Sequence, residues 1–183
     1  PMKVCLLTTS FPAYEGDVQS PFVYELCRAL TREGADIDVV CPADGDAPLE
    51  AAFGKIRVHR FHYFFPVKFQ RLTGGGGIPS NLTETVLAKI QFPFLFLVLL
   101  FTAMHYARRC DVIHCQWSYT AMAGVMLKFL YRKPVVLTER GSAANLAMKN
   151  FFMRTVLVWV LKQCDFVAAN SIHQIEAFAR MRI

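Results

Sequence analysis

The sequence lacks the short motifs that identify several common classes of protein. No pair of its six cysteines has the Cys-x-x-Cys spacing of a zinc or thiol-redox site. A Gly-x-Ser-x-Gly segment, a complete Gly-x-Gly-x-x-Gly fingerprint and a nucleic-acid-binding motif are also missing. No cluster of His, Cys and carboxylate residues has the spacing of metal ligands. We therefore expect no metal, no resident cofactor, no hydrolase triad and no nucleic-acid partner.

Long hydrophobic runs are scarce too. The longest, residues 92–104, is interrupted by Pro93 and Thr102, whereas a spanning helix needs about 20 apolar residues. We therefore predict that this segment does not span a membrane. The chain opens on the strand-like segment 3–7, so we expect no secretory signal. Together with the scattered cysteines, this predicts buried reduced thiols and a cytoplasmic protein. The protein could also lie peripherally on the cytoplasmic face of a membrane.

What the sequence does contain is an excess of apolar residues and of positive charge. Of its 183 residues, 54% are hydrophobic, and the net charge is +6. The mean hydropathy is +0.32, which is high for a soluble protein and indicates a deeply buried sheet, a membrane-facing surface or an absent partner domain. The charge favours anionic partners such as phosphates and acidic lipids. The length fits one domain, 1–183.

Short apolar segments alternate with helical segments along the chain. Ser20 and Pro21 indicate a helix start and Gly34 its end. Asn81 with Glu84 predicts a capping-box start for a helix that Pro93 should break. Strands are predicted at 3–8, 36–41, 57–61, 111–115, 134–138 and 165–169, and further helices at 118–131, 145–163 and 172–180, with a surface loop at 42–54. The alternation predicts an α/β protein with a Rossmann-like parallel sheet covered by helices on both faces.

Ligands of such sheets bind beyond the carboxyl ends of the strands. In the loop 9–19, Gly16 precedes a helix N-terminus, which is a weak signal of phosphate binding. Alternatively, Gly16 is simply a turn glycine. In the loop 114–118, alternation places His114 and Gln116 on the same side. Trp117 could stack on a sugar ring, or all three could be packing residues of the core.

In the segment Thr138-Glu139-Arg140-Gly141-Ser142, two charged residues stand between the end of a predicted buried strand and a predicted turn. Arg140 could hold a phosphate bidentately, and Glu139 could orient it or accept a sugar hydroxyl. Gly141 and Ser142 would add backbone donors ahead of a helix. The alternative is an internal pair between Glu139 and Arg140.

The segment 57–72 mixes aromatic and basic residues, which suits a membrane–water interface. Its cations are Arg57, Arg60, Lys68 and Arg71. Residues 94–101 could extend the same apolar surface. Alternatively, both segments belong to a core or a domain interface.

Several segments, in their order along the chain, resemble the N-terminal half of glycosyltransferase family 4, which comprises retaining enzymes of the GT-B fold. They are "MKVCLLTTSFPAYEGDVQSPFVYELCRALTREGADIDVVCP", "GGGGIPSNL" with a following apolar stretch, "DVIHCQWS", "KPVVLTERGSAANL" and "CDFVAANS". The resemblance covers nearly the whole chain.

The resemblance implies an acceptor-binding domain that pairs with a nucleotide-sugar-binding domain expected after Ile183. Sugar, of hexosyl type, would pass from the nucleotide-sugar donor to a glycan or lipid-linked acceptor with retention and without a metal. The implied role is polysaccharide or glycolipid synthesis, and the fragment alone is expected to be inactive. An anionic membrane surface is a further expected partner.

This sequence departs from the family pattern in two loops. Where relatives have a Gly-Gly pair in the first loop, this chain has Gly16 and Asp17. Where many relatives have His-Gly-Ser-Asp, it has Arg140 followed by Gly141, Ser142 and Ala143. The resemblance thus places Arg140 beside the transferred sugar or the donor diphosphate, as the candidate catalytic residue, and adds Asp17 to the substrate-binding set.

Two other functions remain open from the residues alone. One is a stand-alone nucleotide-binding oxidoreductase domain, against which the absent glycine fingerprint counts. The other is a non-catalytic membrane-binding module, which would bind anionic vesicles in a salt-sensitive way.

Overall fold

The computed structural model describes residues 1–17, 20–73, 77–140 and 151–180. The strands are β1 (Lys3–Leu7), β2 (Asp36–Pro42), β3 (Glu50–Phe53), β4 (Ile56–Phe61), β5 (Val112–Gln116), β6 (Val135–Glu139) and β7 (Phe166–Ala169). The helices are α1 (Pro21–Arg32), α2 (Gly77–Glu84), α3 (Val86–Ala107), α4 (Trp117–Tyr131), α5 (Phe151–Gln163) and α6 (Ile172–Arg180), with a short 3₁₀ turn at Val67–Phe69.

The seven strands form one sheet in the order β3-β4-β2-β1-β5-β6-β7. All neighbours pair in parallel except β3, which is antiparallel to β4. The prediction of a Rossmann-like α/β sheet is confirmed, but the prediction of a surface loop over 42–54 is wrong for β3. β3 is an edge strand of only four residues, paired on one side, and its inward residues Ala51 and Phe53 are only partly buried, so its sequence carries a weak strand signal.

Alternate residues of the central strands face the two sides of the sheet. Cys5 and Leu7 belong to one apolar core with α3 and α4, whereas Val4 and Leu6 belong to a second core with α1. The helices therefore cover both faces, as predicted. The residues of the central strands β1 and β5 are buried on both sides, which explains why these two strands read as largely continuous apolar runs.

The ends of α1 agree with the sequence in part. Gly34, at φ +91°, ends the helix in a Schellman motif. Its N–H donates to the carbonyl of Thr31 at 3.1 Å, and the N–H of Ala35 donates to Leu30 at 3.0 Å. Ser20 is the N-cap residue and Pro21 follows it, but the Ser20 side chain makes no capping hydrogen bond.

The helix predicted to begin at Asn81 is organised differently. Asn81 lies inside α2, and its Nδ2 donates to the carbonyl of Leu72 at 3.0 Å. Thr85 caps α3 instead, with its Oγ1 accepting from the N–H of Ala88 at 3.2 Å. Pro93 lies within an unbroken α3, contrary to the predicted break. Because Pro93 and Lys89 are exposed, water can satisfy the Lys89 carbonyl that the proline leaves without a donor.

Helix α3 has 22 residues, and within the described ranges it is the one helix long and apolar enough to cross a membrane by length and composition. A core helix of a soluble protein passes the same test. The inner face of α3 packs into the domain through Ala88, Gln91, Leu95, Leu99, Ala103 and Ala107. Only 28% of its most apolar window is buried, however, so much of its apolar surface remains outside.

The six cysteines are free thiols. Five are buried and Cys164 is half-buried, which agrees with the prediction of buried thiols. Burial raises the pKa of the Cys27 and Cys41 thiols to about 12, so these groups are not reactive thiolates at neutral pH.

Candidate functional site

The candidate site lies at the carboxyl edge of the sheet, where β5 and β6 end side by side. Gln116, the last residue of β5, pairs with Thr138 of β6. Glu139 and Arg140 follow directly, and Trp117 begins α4. The parallel register therefore gathers the polar residues of two loops, which are distant in sequence, at one place.

A chain of hydrogen bonds crosses these two strand ends. The Arg140 Nε donates to Gln116 Oε1 at 3.1 Å, and Gln116 Nε2 lies 3.2 Å from His114 Nε2. His114 Nε2 also lies 2.9 Å from Thr138 Oγ1. Because an arginine nitrogen can only donate, the Gln116 oxygen must face Arg140 and its amide nitrogen must face His114. His114 Nε2 is thus an acceptor, and the neutral ring carries its proton on Nδ1.

The environment of His114 supports the neutral form. Burial lowers its pKa to about 4, and the positive charge of Arg140 adds to the effect. The prediction that His114 and Gln116 point the same way is confirmed by their contact. The side chain of Gln116 is fully buried and that of His114 nearly so. Both residues therefore form a layer beneath Arg140.

The lowered pKa of His114 predicts that acid destabilises the fold. Between about pH 6.5 and pH 4 the unfolded chain binds a proton that the folded chain does not, so stability is full above this window and falls through it. The loss from this residue is about 3 kcal/mol. His114→Gln keeps an acceptor near the Nε2 position and should flatten this dependence in urea unfolding at neutral and mildly acidic pH. His173→Gln, whose ring is 98% exposed, is the control. Equal pH dependence of wild type and His114→Gln would contradict the assignment.

The side chain of Glu139 faces the interior of the domain. Its side chain is fully buried, and its Oε2 accepts from the N–H of Ser118 at 2.9 Å and from the Ser118 hydroxyl. Its Oε1 accepts from the N–H of Arg140 at 3.0 Å. The carboxylate of Glu139 thus holds the starts of both loops together. Its predicted role, to orient a phosphate or accept a sugar hydroxyl, stays a prediction.

The backbone at Trp117 is part of this arrangement. Its φ is +68°, in the left-handed region that a bulky residue rarely adopts. The sharp turn from β5 into α4 presents the N–H of Ser118 to Glu139. Such local strain persists only where surrounding contacts over-determine it, and it is concentrated at functional sites.

Arg140 lies above this layer, half-buried. Its guanidinium carbon is 4.3 Å from the centre of the Phe22 ring, and that ring meets Trp117 edge-on at 6.1 Å. Burial lowers the pKa of Arg140, yet an arginine remains a cation at neutral pH. The structure shows this guanidinium held by a glutamine and an aromatic face.

The first loop reaches the site through α1. Gly16 has φ +90°, and its neighbour Asp17 accepts from the N–H of Ala13 at 2.8 Å. The buried Arg60 donates to the carbonyl of Pro12 at 2.6 Å and so ties this loop to β4. Gly16 and Asp17 lead into Phe22 and thus to Arg140, but each makes its described contacts within its own loop. The predicted ligands Gly141 and Ser142 lie outside the described residues.

Comparison with known proteins decides the family. The sequence profile described as Glycosyltransferase Family 4 matches residues 19–183, most of the chain. The chain belongs to Glycosyltransferase Family 4. A comparison with curated proteins found no significant match.

Solved glycosyltransferases of the GT-B fold share the architecture of this family 4 domain. Sucrose-phosphate synthase from Thermosynechococcus elongatus has a TM-score of 0.66 and 15% identity, covering 98% of this chain and 45% of that one. UGT89C1 from Arabidopsis thaliana, complexed with UDP-L-rhamnose, has a TM-score of 0.60 and 13% identity, with coverage of 95% and 46%. MurG from Acinetobacter baumannii has a TM-score of 0.51 and 17% identity, covering 93% of this chain and 42% of that one. The chain spans less than half the length of each of these three structures, and at such low identity the likeness shows the fold alone.

Sequence reasoning missed three residues of the candidate site, namely Phe22, Ser118 and Thr138. Phe22 reads as an apolar residue of α1, although its ring is 43% exposed. Thr138 and Ser118 are ordinary polar residues, and only the register of β5 against β6 brings them to His114 and Glu139. The position of Thr138 beside the strand end was the one available signal.

Two further observations concern metal binding and a cavity elsewhere on the domain. In the part of the chain that the structure describes, no group of three or more His, Cys, Asp or Glu side chains could hold a metal ion. A surface cavity of about 460 Å³ is lined by Lys128, Phe129, Arg132, Lys133, Pro134 and Asp165. Pro134 and Asp165 precede β6 and β7, so this cavity lies at the amino edge of the sheet, opposite the candidate site.

Proposed function

We propose that this domain is the acceptor-side half of a retaining glycosyltransferase that moves a hexosyl group from a nucleotide-sugar to a glycan or lipid-linked acceptor. The observation that carries the proposal is the placement of Arg140. A half-buried cation stands at the carboxyl edge of a parallel sheet, where ligands of such sheets bind. Its Nε is committed to Gln116, so the terminal nitrogens are the part that would meet a diphosphate or the transferred sugar.

The surrounding residues suit that role. Guanidinium recognition of phosphate is bidentate and depends on a fixed plane. Contact with Phe22 and the bond to Gln116 fix this plane before any ligand arrives. The neutral His114 beneath them accepts from the Gln116 amide and so keeps the Gln116 oxygen turned toward Arg140, whose charge would attract the leaving diphosphate. The half-buried Trp117 would stack on a sugar ring of the acceptor.

The donor would be held mainly by a second domain, with the nucleotide-sugar as a co-substrate rather than a resident cofactor. We propose metal-independent transfer, in which Arg140 contributes the positive charge that the departing diphosphate requires. A cytoplasmic location accompanies the proposal, because six free thiols suit a reducing compartment.

The test uses the intact protein isolated from its source cell. It is incubated with UDP-, GDP- and ADP-linked sugars and a cell extract containing glycan and lipid acceptors, with and without a chelator. We expect release of nucleoside diphosphate from one donor class, unchanged by the chelator, and a product whose anomeric configuration by NMR matches the donor. A protein that turns over none of these donors, or an inverted product, would refute the proposal.

A further inference from the structure

The outer face of α3 carries an unusual amount of exposed apolar surface. Its exposed large apolar residues follow helical spacing along one stripe: Val86, Ile90, Phe94, Leu97 and Phe101. Phe101, near the C-terminal end, is 65% exposed. A stripe of this length on a helix whose opposite face already packs into the core is surface that water solvates poorly.

The loop after β4 extends this stripe. Gln91, fully buried, donates from Nε2 to the carbonyl of Phe69 at 2.6 Å and accepts from the N–H of Arg71 at 2.9 Å. The rings of Phe64 and Phe94 also meet edge-on, with their centres 5.9 Å apart. The loop is therefore fixed against the N-terminal half of α3. It exposes three more apolar residues there, namely Phe65, Val67 and Phe69.

The charge around these residues is mainly positive. Residues 51–110 contain eight Lys and Arg residues and a single acidic residue, Glu84. Two of the cations serve the fold, since Arg57 pairs with Asp38 and Arg60 is buried. Three exposed cations accompany the apolar stripe, namely Lys68, Arg71 and Lys89. The Lys68 ammonium extends over the Phe69 ring at 5.3 Å, in the manner of a cation at a membrane interface.

We propose that this α3 surface, defined by the eight apolar residues and three cations above, seats the protein on an anionic lipid bilayer. Apolar side chains would enter the headgroup region while the cations contact lipid phosphates. The inner face of α3 belongs to the core, so the helix lies on the membrane rather than across it.

The location of the α3 surface indicates which class of acceptor the proposed transferase would use. This inference about the acceptor rests on the proposed function. The loop follows the carboxyl end of β4, and α3, which connects β4 to the parallel β5, runs back from that edge. The α3 surface thus begins at the same edge of the sheet as Arg140. Seating there would hold the cleft near the bilayer, and the acceptor class would be a membrane-embedded, lipid-linked molecule.

The first test is sedimentation of the intact protein with vesicles of phosphatidylcholine mixed with phosphatidylglycerol, and with phosphatidylcholine alone. Wild type should bind the anionic vesicles, and salt should weaken binding. Ile90→Gln/Leu97→Gln/Phe101→Gln should weaken it roughly ten-fold or more. Ile172→Gln/Ile175→Gln on α6 removes comparably exposed apolar residues and should bind normally. No donor sugar is present, so failure here is separable from failure of the transferase proposal.

The second test guards against misfolding of the apolar variant. Lys68→Gln/Arg71→Gln/Lys89→Gln alters only exposed side chains and should weaken anionic-vesicle binding roughly a hundred-fold. Wild-type binding by either triple variant, or no binding by wild type, overturns the proposal. It is also overturned if wild type is a dimer in solution and the apolar variant a monomer, since the surface would then seat a second copy of the chain.

Discussion

Arg140→Ala in the intact protein is expected to lower kcat for sugar transfer by about 100-fold or more, because a preorganised cation at a developing charge contributes on this scale. The side chain is held by Phe22 at 4.3 Å and by Gln116 at 3.1 Å, so little reorganisation is needed when the leaving diphosphate gains charge. Arg140→Lys keeps the charge but loses the planar fork, and it should recover only part of the activity. Kinetics with the donor identified by the screen give the measurement.

A matched control separates a local effect from a general loss of positive charge. Arg28 is partly exposed on α1 and pairs with Glu25 at 2.8 Å, so Arg28→Ala should leave turnover unchanged. The affinity for the nucleoside diphosphate product provides a second readout, and it should fall with Arg140→Ala if the guanidinium contacts phosphate. Activity and product affinity equal to wild type would remove Arg140 from the site.

Gly124→Ala is expected to lower the free energy of unfolding by about 1 kcal/mol, because overpacking costs about 2 kcal/mol and the better helix propensity of alanine offsets about 1 kcal/mol of it. A Cβ at Gly124 in α4 would overlap the Sγ of Cys115 in β5 and lie 3.5 Å from Ile113 and 3.6 Å from Val135. Cys115 is fully buried, so its side chain has little room to move aside. Thermal and urea unfolding measure the loss.

A double-mutant cycle identifies the cause. Cys115→Ala removes the overlapping sulfur, so in that background Gly124→Ala should no longer destabilise the fold, with a coupling of about 2 kcal/mol. Cys41 is equally buried but belongs to the other core, so Cys41→Ala combined with Gly124→Ala should be additive. If the Cys115 pair is also additive, the overlap is not the source of the destabilisation.

Much of the fold could be read from the sequence because it depends on local patterns. Each buried parallel strand is a short apolar run, and Gly34 marks the end of α1 by the backbone conformation it alone tolerates easily. The rule that ligands bind at the carboxyl edge selected Arg140 and His114 without knowledge of the strand order.

The sequence was a poor guide where a residue's role depends on a distant partner. Asn81 has the local signature of a helix cap, yet it donates to Leu72, nine residues away. Pro93 has the signature of a helix break, yet α3 passes through it because the affected carbonyl faces solvent. Gln91, an unremarked polar residue in an apolar run, fixes the loop that completes the α3 surface.

The sequence by itself determined the alternation of buried strands and helices, the resemblance to family 4 and the clustering of positive charge in residues 51–110. Only the tertiary structure decided how the candidate site is built. The order β1-β5-β6 places Thr138 on His114 and Ser118 on Glu139, and α1 supplies Phe22 to Arg140. Periodicity records which face a residue lies on, whereas neighbours across a parallel sheet are set by crossover connections, which leave no trace in local sequence.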